Sequence, residues 1–107
     1  MKRGSLVTIA LQGDYGKPRP ALVIQSDLFD EHPSCVVLPV TSDLKDTPLF
    51  RLTLEPDGHN GLKTTSQVMV DKPVTVRRDK IGASFGELGD TDMVSVTRAL
   101  AVFIGIG

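Results

Sequence analysis

Apolar and β-branched residues recur along most of this chain in short runs broken by glycine, proline and aspartate, and only near the C-terminus does the spacing change. Ser5 to Leu11 is rich in such residues and predicts a first strand ending at a turn over Gly13 to Gly16. Ala21 to Gln25 predicts a second. Ser26 to Asp30 reads as a single capped helical turn or a tight turn, because Ser26 can accept backbone N–H bonds and Pro33 prevents extension. Cys35 to Val40 is almost continuously apolar, as expected of a strand covered on both faces, with Pro39 limiting pairing at its end. Leu49 to Leu54 alternates with the period of a half-buried strand, and Pro56 to Gly61 is a loop. Thr64 to Val70 and Val74 to Arg77 give two more strands, separated by Asp71-Lys72-Pro73. In Asp90 to Ile104 the residues Met93, Val96, Leu100, Phe103 and Ile104 fall on one helical face; Asp90 or Thr91 can cap its start and Gly105 its end.

Six or so short strands and one amphipathic helix predict a mainly β fold with some α: a small, strongly bent antiparallel sheet or partly open barrel carrying the helix. No repeat, low-complexity tract or linker divides the chain, so residues 1–107 are expected to form one domain. A domain of this size buries roughly 65% of the surface its unfolded chain exposes.

Composition narrows the functional classes. The chain is 40% apolar and 23% charged with a net charge of −1, so total charge makes no case for a nucleic-acid partner and any such case rests on distribution. That distribution is uneven. Lys2, Arg3, Lys17 and Arg19 face only Asp14 in the first 25 residues, and Lys72, Arg77, Arg78 and Lys80 cluster around Asp79. A lone cysteine, Cys35, excludes an internal disulfide, fits a reducing compartment and reads as a buried strand residue. The apolar stretch after Met1 is interrupted at Thr8 and Gln12, so neither an export signal nor a membrane segment is expected.

The stretch with most chemical content is Gly13-Asp14-Tyr15-Gly16-Lys17-Pro18-Arg19-Pro20, just ahead of the apolar Ala21 to Ile24. Each proline fixes its own φ and biases the preceding residue toward extended geometry, so Lys17 and Arg19 stand on a stiff backbone. The glycines before them suit a mobile flap. A lid beside a fixed guanidinium suits an anionic ligand.

His32 precedes Pro33 in a turn and His59 lies in a polar loop; both read first as solvated loop residues, His59 keeping some value as a proton carrier. No metal-ligand spacing occurs, and no cofactor is expected. What remains is Arg19, Thr41 and Ser42 at one strand end, and Ser66 and Asp71 flanking another strand. Hydroxyls at strand ends donate to phosphate oxygens and a guanidinium binds two at once, which suits a pentacoordinate phosphate. On residue type alone, Thr41-Ser42 reads first as a turn cap before Asp43.

Taken together, Arg3-Gly4-Ser5, the block Gly16-Lys17-Pro18-Arg19-Pro20-Ala21-Leu22-Val23-Ile24-Gln25, Leu38-Pro39-Val40-Thr41-Ser42 and Ser66-Gln67-Val68-Met69-Val70-Asp71-Lys72-Pro73 resemble the MazF/PemK family of toxin endoribonucleases. The similarity covers nearly the whole chain. It implies an SH3-like, CcdB/MazF-type barrel, a homodimer, a cytoplasmic location and a cognate antitoxin partner. It further implies metal-independent cleavage of single-stranded RNA at short motifs, with attack by the substrate's 2′-hydroxyl leaving a 2′,3′-cyclic phosphate and a 5′-hydroxyl.

Carried onto matching positions, Arg19 is the principal catalytic residue and Thr41 positions the scissile phosphate with Ser42 beside it. Lys17, Lys72 and Arg77 line an RNA groove with Ser42, Ser66 and Asp71, and Tyr15 or Phe50 is available to stack on a base, although Phe50 reads first as a core residue. The chain departs from the family pattern at Ser5, where aspartate is common, at Met69, where some relatives carry an arginine with an acid role, and at Lys72, where glutamine is frequent. Two other readings stay open: a poison of DNA gyrase, through the shared fold, and a degenerate member that only binds RNA or its antitoxin.

Overall fold

The computed structural model describes residues 1–10 and 17–106. The two runs flanking the proline-rich stretch, β1 (Ser5–Ile9) and β2 (Arg19–Val23), pair antiparallel, with Leu6 opposite Leu22 and Ile9 opposite Arg19. β2 therefore begins two residues earlier than the apolar pattern indicated and ends at Val23, and Arg19 belongs to the strand. The prolines explain the shift, since they hold Arg19 and Pro20 extended before any apolar residue appears. The expected flap over Gly13 to Gly16, with Tyr15 and the end of the first predicted strand at Leu11, lies outside the described residues.

After a 3₁₀ turn at Asp27–Phe29, in which Ser26 Oγ accepts from Leu28 N as its position suggested, β3 (Ser34–Thr41) pairs with β2. That ladder stops at Ala21 opposite Pro39, while Pro20 lies opposite Thr8 in the β1–β2 ladder. The other edge of β3 is divided. β5 (Ser66–Met69) takes Val40 and Thr41, and β6 (Val74–Arg77) takes Ser34 to Val37. β4 (Arg51–Leu54) adds to β5; it starts later than the alternation predicted, because Thr47 to Phe50 form a turn in which Thr47 O accepts from Phe50 N and Arg51 N.

β7 (Ile81–Glu87), absent from the sequence reading, pairs antiparallel with β1 through two irregularities, giving the order β4-β5-β3-β2-β1-β7 with β6 on β3. The seven-stranded sheet is curled but not closed by strand pairing. The loop after β4 bridges the gap: His59 O accepts from Glu87 N at 3.0 Å. Two glycines permit this close approach. A side chain at Gly61, whose φ is +64°, would strike Phe85 O, and one at Gly86 would strike Asn60 O.

Because neighbours along a strand alternate faces, β3 feeds two cores. Leu6, Leu22, Leu38 and Val68 lie on one face under Met93 and Val96 of α1 (Asp90–Ile104), while Val7, Ala21, Cys35, Val37 and Val76 pack on the other. The expected strand covered on both faces is thus found. The helix follows its predicted span and ends on Gly105 in the left-handed region at φ 83°. Its N-cap is Gly89 without a side-chain bond, not Asp90 or Thr91, and of its apolar stripe Phe103 and Ile104 stay about half exposed. Among the described residues no helix is long and apolar enough to cross a membrane.

Candidate active site

The register that pairs β2 with β3 adds residue numbers to sixty, as in Ala21 with Pro39. The ladder ends there, and the two strands run on to Arg19 and Thr41, which line the same two cavities. On the next strand Thr41 lies opposite Gln67, whose neighbour is Ser66. The neighbouring ends of β2, β3 and β5 thus gather Arg19, Thr41, Ser42 and Ser66 around one cavity.

Two cavities open there, and Arg19 and Thr41 line both. One, of about 490 Å³, adds Thr8, Pro20, Ser42, Lys63, Ser66 and Phe85. The other, of about 380 Å³, adds Ile9, Pro39, Met69, Lys72 and Val74. Arg19 and Thr41 thus stand where two recesses with largely apolar walls meet.

Thr41 does serve as the turn cap its residue type suggested: its Oγ1 accepts from Asp43 N at 3.0 Å. That bond leaves the hydroxyl proton available to point elsewhere, so the capping contact and a donor role toward a ligand are compatible. Gln67, 6% exposed, anchors the same loop. Its Oε1 accepts from Lys45 N and Arg51 Nη1, its Nε2 donates to Lys45 O and Thr53 Oγ1, and Arg51 Nη1 also donates to Asp43 O at 2.8 Å. A buried amide whose donor and acceptor sides are both engaged rigidifies the segment that carries Thr41.

Other anticipated residues scatter. Lys17 is exposed just ahead of β2 and lines neither cavity. Asp71 is half-buried in the turn after β5, with Oδ2 3.6 Å from Lys72 Nζ; its Oδ1 is buried with no hydrogen-bond partner among the described residues. Arg77 stands opposite Ser34, at the far end of β3 from Thr41, and pairs with Asp79 at 2.7 Å. Its nearness to Lys72 in sequence does not bring it to the site. His59 lines a separate cavity of about 600 Å³ at the start of α1, together with Arg3, Asp57 and Glu87. His32 Nδ1 accepts from Ser34 N within its turn. Phe50 is half-buried and lines neither cavity at the site.

Sequence reasoning missed Thr8, Leu62, Lys63, Thr64 and Phe85, which β1, the loop before β5 and β7 bring into the larger cavity. At Ser5, where the family commonly has aspartate, Oγ accepts from Lys2 N at 3.0 Å, so the serine fills a turn-capping role that a carboxylate also performs. Burial pushes the Cys35 thiol above its ordinary pKa against an opposing effect of Arg78, which leaves it a neutral core side chain. Among the described residues, no group of three or more His, Cys, Asp and Glu is placed to hold a metal ion.

Comparison with known proteins bears on this geometry. A model of the PemK-like, MazF-like toxins of type II toxin–antitoxin systems matches residues 2–104. A protein described as a probable endoribonuclease MazF, from Mycolicibacterium smegmatis, is 48% identical over 107 residues, covering 99% of this chain and 98% of that one. A mycobacterial endoribonuclease solved in complex with its cognate antitoxin superposes with a TM-score of 0.84 at 22% identity, covering 100% of this chain and 97% of that one; at that identity the likeness shows the fold. A MazE–MazF crystal structure from Deinococcus radiodurans gives a TM-score of 0.79 at 25% identity, again covering 100% and 97%.

Proposed function

Since the chain belongs to the family of PemK-like, MazF-like toxins of type II toxin–antitoxin systems and is an endoribonuclease of that kind, we propose that it cleaves single-stranded RNA at short motifs, without a metal ion, at the ridge formed by Arg19 and Thr41. The observation that carries this reading is that both side chains line the two cavities, so that a strand crossing from one to the other presents its backbone to them.

In the proposed reaction the ribose 2′-oxygen forms a bond to phosphorus, the P–O5′ bond breaks, the 2′-hydroxyl proton passes to water and the leaving oxygen takes a proton from solvent. The products are a 2′,3′-cyclic phosphate and a 5′-hydroxyl. Negative charge grows on the non-bridging oxygens of the pentacoordinate phosphate. A guanidinium, always charged and a poor base at neutral pH, stabilises that charge with paired N–H donors while Thr41 donates a further bond. Ser42 sits where it can hold the neighbouring phosphate or ribose, whereas Ser66 is buried with its Oγ donating to Thr64 O at 2.9 Å and shapes the cavity wall. The protein acts as a homodimer in the cytoplasm, held in check by a cognate antitoxin; the proteins of similar fold solved with MazE or a cognate antitoxin support that partner.

The decisive experiment incubates purified protein with mixed-sequence RNA in excess EDTA and maps the ends. Cleavage leaving cyclic-phosphate and 5′-hydroxyl ends is expected; its loss in chelator, or unchanged activity of Arg19→Ala, would sink the mechanism. Inhibition of gyrase supercoiling without RNA cleavage would return the reading to a gyrase poison.

A further inference from the structure

The smaller cavity beside Arg19 and Thr41 has an asymmetric lining. Ile9, Pro39, Val40, Met69 and Val74 make its walls apolar, and beyond the two site residues its polar group is Lys72. The Lys72 side chain is 57% exposed, and its Nζ sits 3.6 Å from Asp71 Oδ2, a contact that biases where the ammonium points without taking all of its protons. An ammonium carries three donors and no acceptor. An apolar slot with a donor-only group at its edge accepts a flat ring whose facing edge carries a carbonyl, and a thioether such as Met69 packs well against an aromatic ring.

Among nucleobases, guanine and uracil present carbonyl oxygens where adenine and cytosine present amino groups. An amino group facing Lys72 would oppose donor to donor and leave both unsatisfied on leaving water. We propose that this cavity is a base subsite that selects a keto base, guanine or uracil, on a nucleotide adjoining the cleaved phosphate, with Lys72 as its specificity-determining residue. The proposal rests on the reading that RNA is cut at Arg19 and Thr41. Glutamine at position 72 would offer both a donor and an acceptor and so could satisfy either kind of base edge.

The test compares cleavage-site frequencies on a randomised single-stranded RNA pool for the native protein, Lys72→Gln and Lys72→Arg, with salt dependence measured on one cleaved and one uncleaved oligonucleotide. Native protein is expected to favour a keto base at one flanking position by about tenfold, as suits one hydrogen bond to a charged donor. Lys72→Gln should bring that position toward parity, and Lys72→Arg, still donor-only, should retain the preference. Equal use of all four bases by the native protein, or an unchanged preference in Lys72→Gln, overturns the proposal. So does a uniform loss across all sequences with a salt slope reduced by about one, which marks Lys72 as a phosphate contact. Absence of any cleavage by native protein overturns the parent reading and this one with it, whereas cleavage without keto preference overturns this one alone.

Discussion

The two ends of β3 carry similar side chains and use them differently. At the Ser34 end, Arg78 donates through Nε to His32 O and through Nη2 to Phe29 O at 2.8 Å, and Gln25 Nε2 donates to Ser34 O and Phe29 O while its Oε1 accepts from Val36 N. Arginine, histidine and serine there stitch a turn to the sheet. Seven residues along the strand, Arg19, Thr41, Ser42 and Ser66 border cavities of about 490 and 380 Å³. A cation at a strand end is thus no sign of a site by itself. What separates the two ends is that one ties a neighbouring turn to the sheet through its carbonyls, whereas the residues of the other also border cavities large enough to take a ligand.

The largest expected effect breaks the comparison at the open end. Removing a donor aimed at developing negative charge typically lowers the rate by about 100- to 1000-fold. Arg19→Ala should reduce cleavage of mixed-sequence RNA by at least that order with little change in melting temperature, whereas a collapse of the fold in this variant would make Arg19 a structural residue like Arg78. The mirror experiment is Arg78→Ala. It strips two carbonyls of a charged donor, and a loss of about 1–3 kcal/mol in stability is expected, with cleavage per folded molecule preserved. Denaturant melts and single-turnover rates measured together would expose an error if activity fell and stability did not.

How far this contrast was visible beforehand varies by residue. Arg19 stood out because two prolines pin it, and Thr41 because a hydroxyl follows an apolar run. Strands β3 and β6 followed from short apolar, β-branched runs and the helix from its period. β7 did not, because its residues are mostly exposed, it holds two glycines, and pairing with β1 rather than an alternating pattern keeps it extended. The walls contributed by Thr8, Lys63 and Phe85 come from segments remote in sequence, which no local pattern joins. Arg77 misled for the opposite reason: Lys72 and Arg77 are near in sequence, yet the turn between β5 and β6 sends one to each end of β3.

A smaller effect belongs to Thr41. Its Oγ1 already accepts from Asp43 N, and Gln67 and Arg51 independently hold the loop, so Thr41→Ala should leave the backbone largely in place and remove one donor. About a tenfold fall in the single-turnover rate is expected, the scale of a neutral hydrogen bond made to a charged group. Thr41→Ser, which keeps the hydroxyl, should recover most of it. If Thr41→Ala matched Arg19→Ala in severity, the turn cap would be the dominant role and the contrast between the ends would weaken.

The smallest effect concerns the turn that leads into Gly61 and Leu62, two residues of the cavity shared by Arg19 and Ser42. Asp57 Oδ1 accepts from His59 N and Asn60 N, each at 2.7 Å, and these backbone donors hold its carboxyl below its ordinary pKa of 3.8. A depressed native pKa means the charged form favours the folded turn: the contribution is present above about pH 3.8 and is lost as pH falls through the lower native value. Because Asp57 is solvent-exposed, the consequence should be local. The protection factors of the His59 and Asn60 amides, taken against the intrinsic exchange rate at each pH, should fall on acidification before those of the β3 core amides, and Asp57→Asn, which retains an uncharged acceptor, should flatten that dependence. Gly61 and Leu62, which follow this turn, line the larger cavity, so loosening it should blur one wall of the site without touching Arg19. Exchange at both amides that did not change with acid would show that the turn is held by Asn60 alone, whose Oδ1 accepts from Asp57 N and Leu62 N.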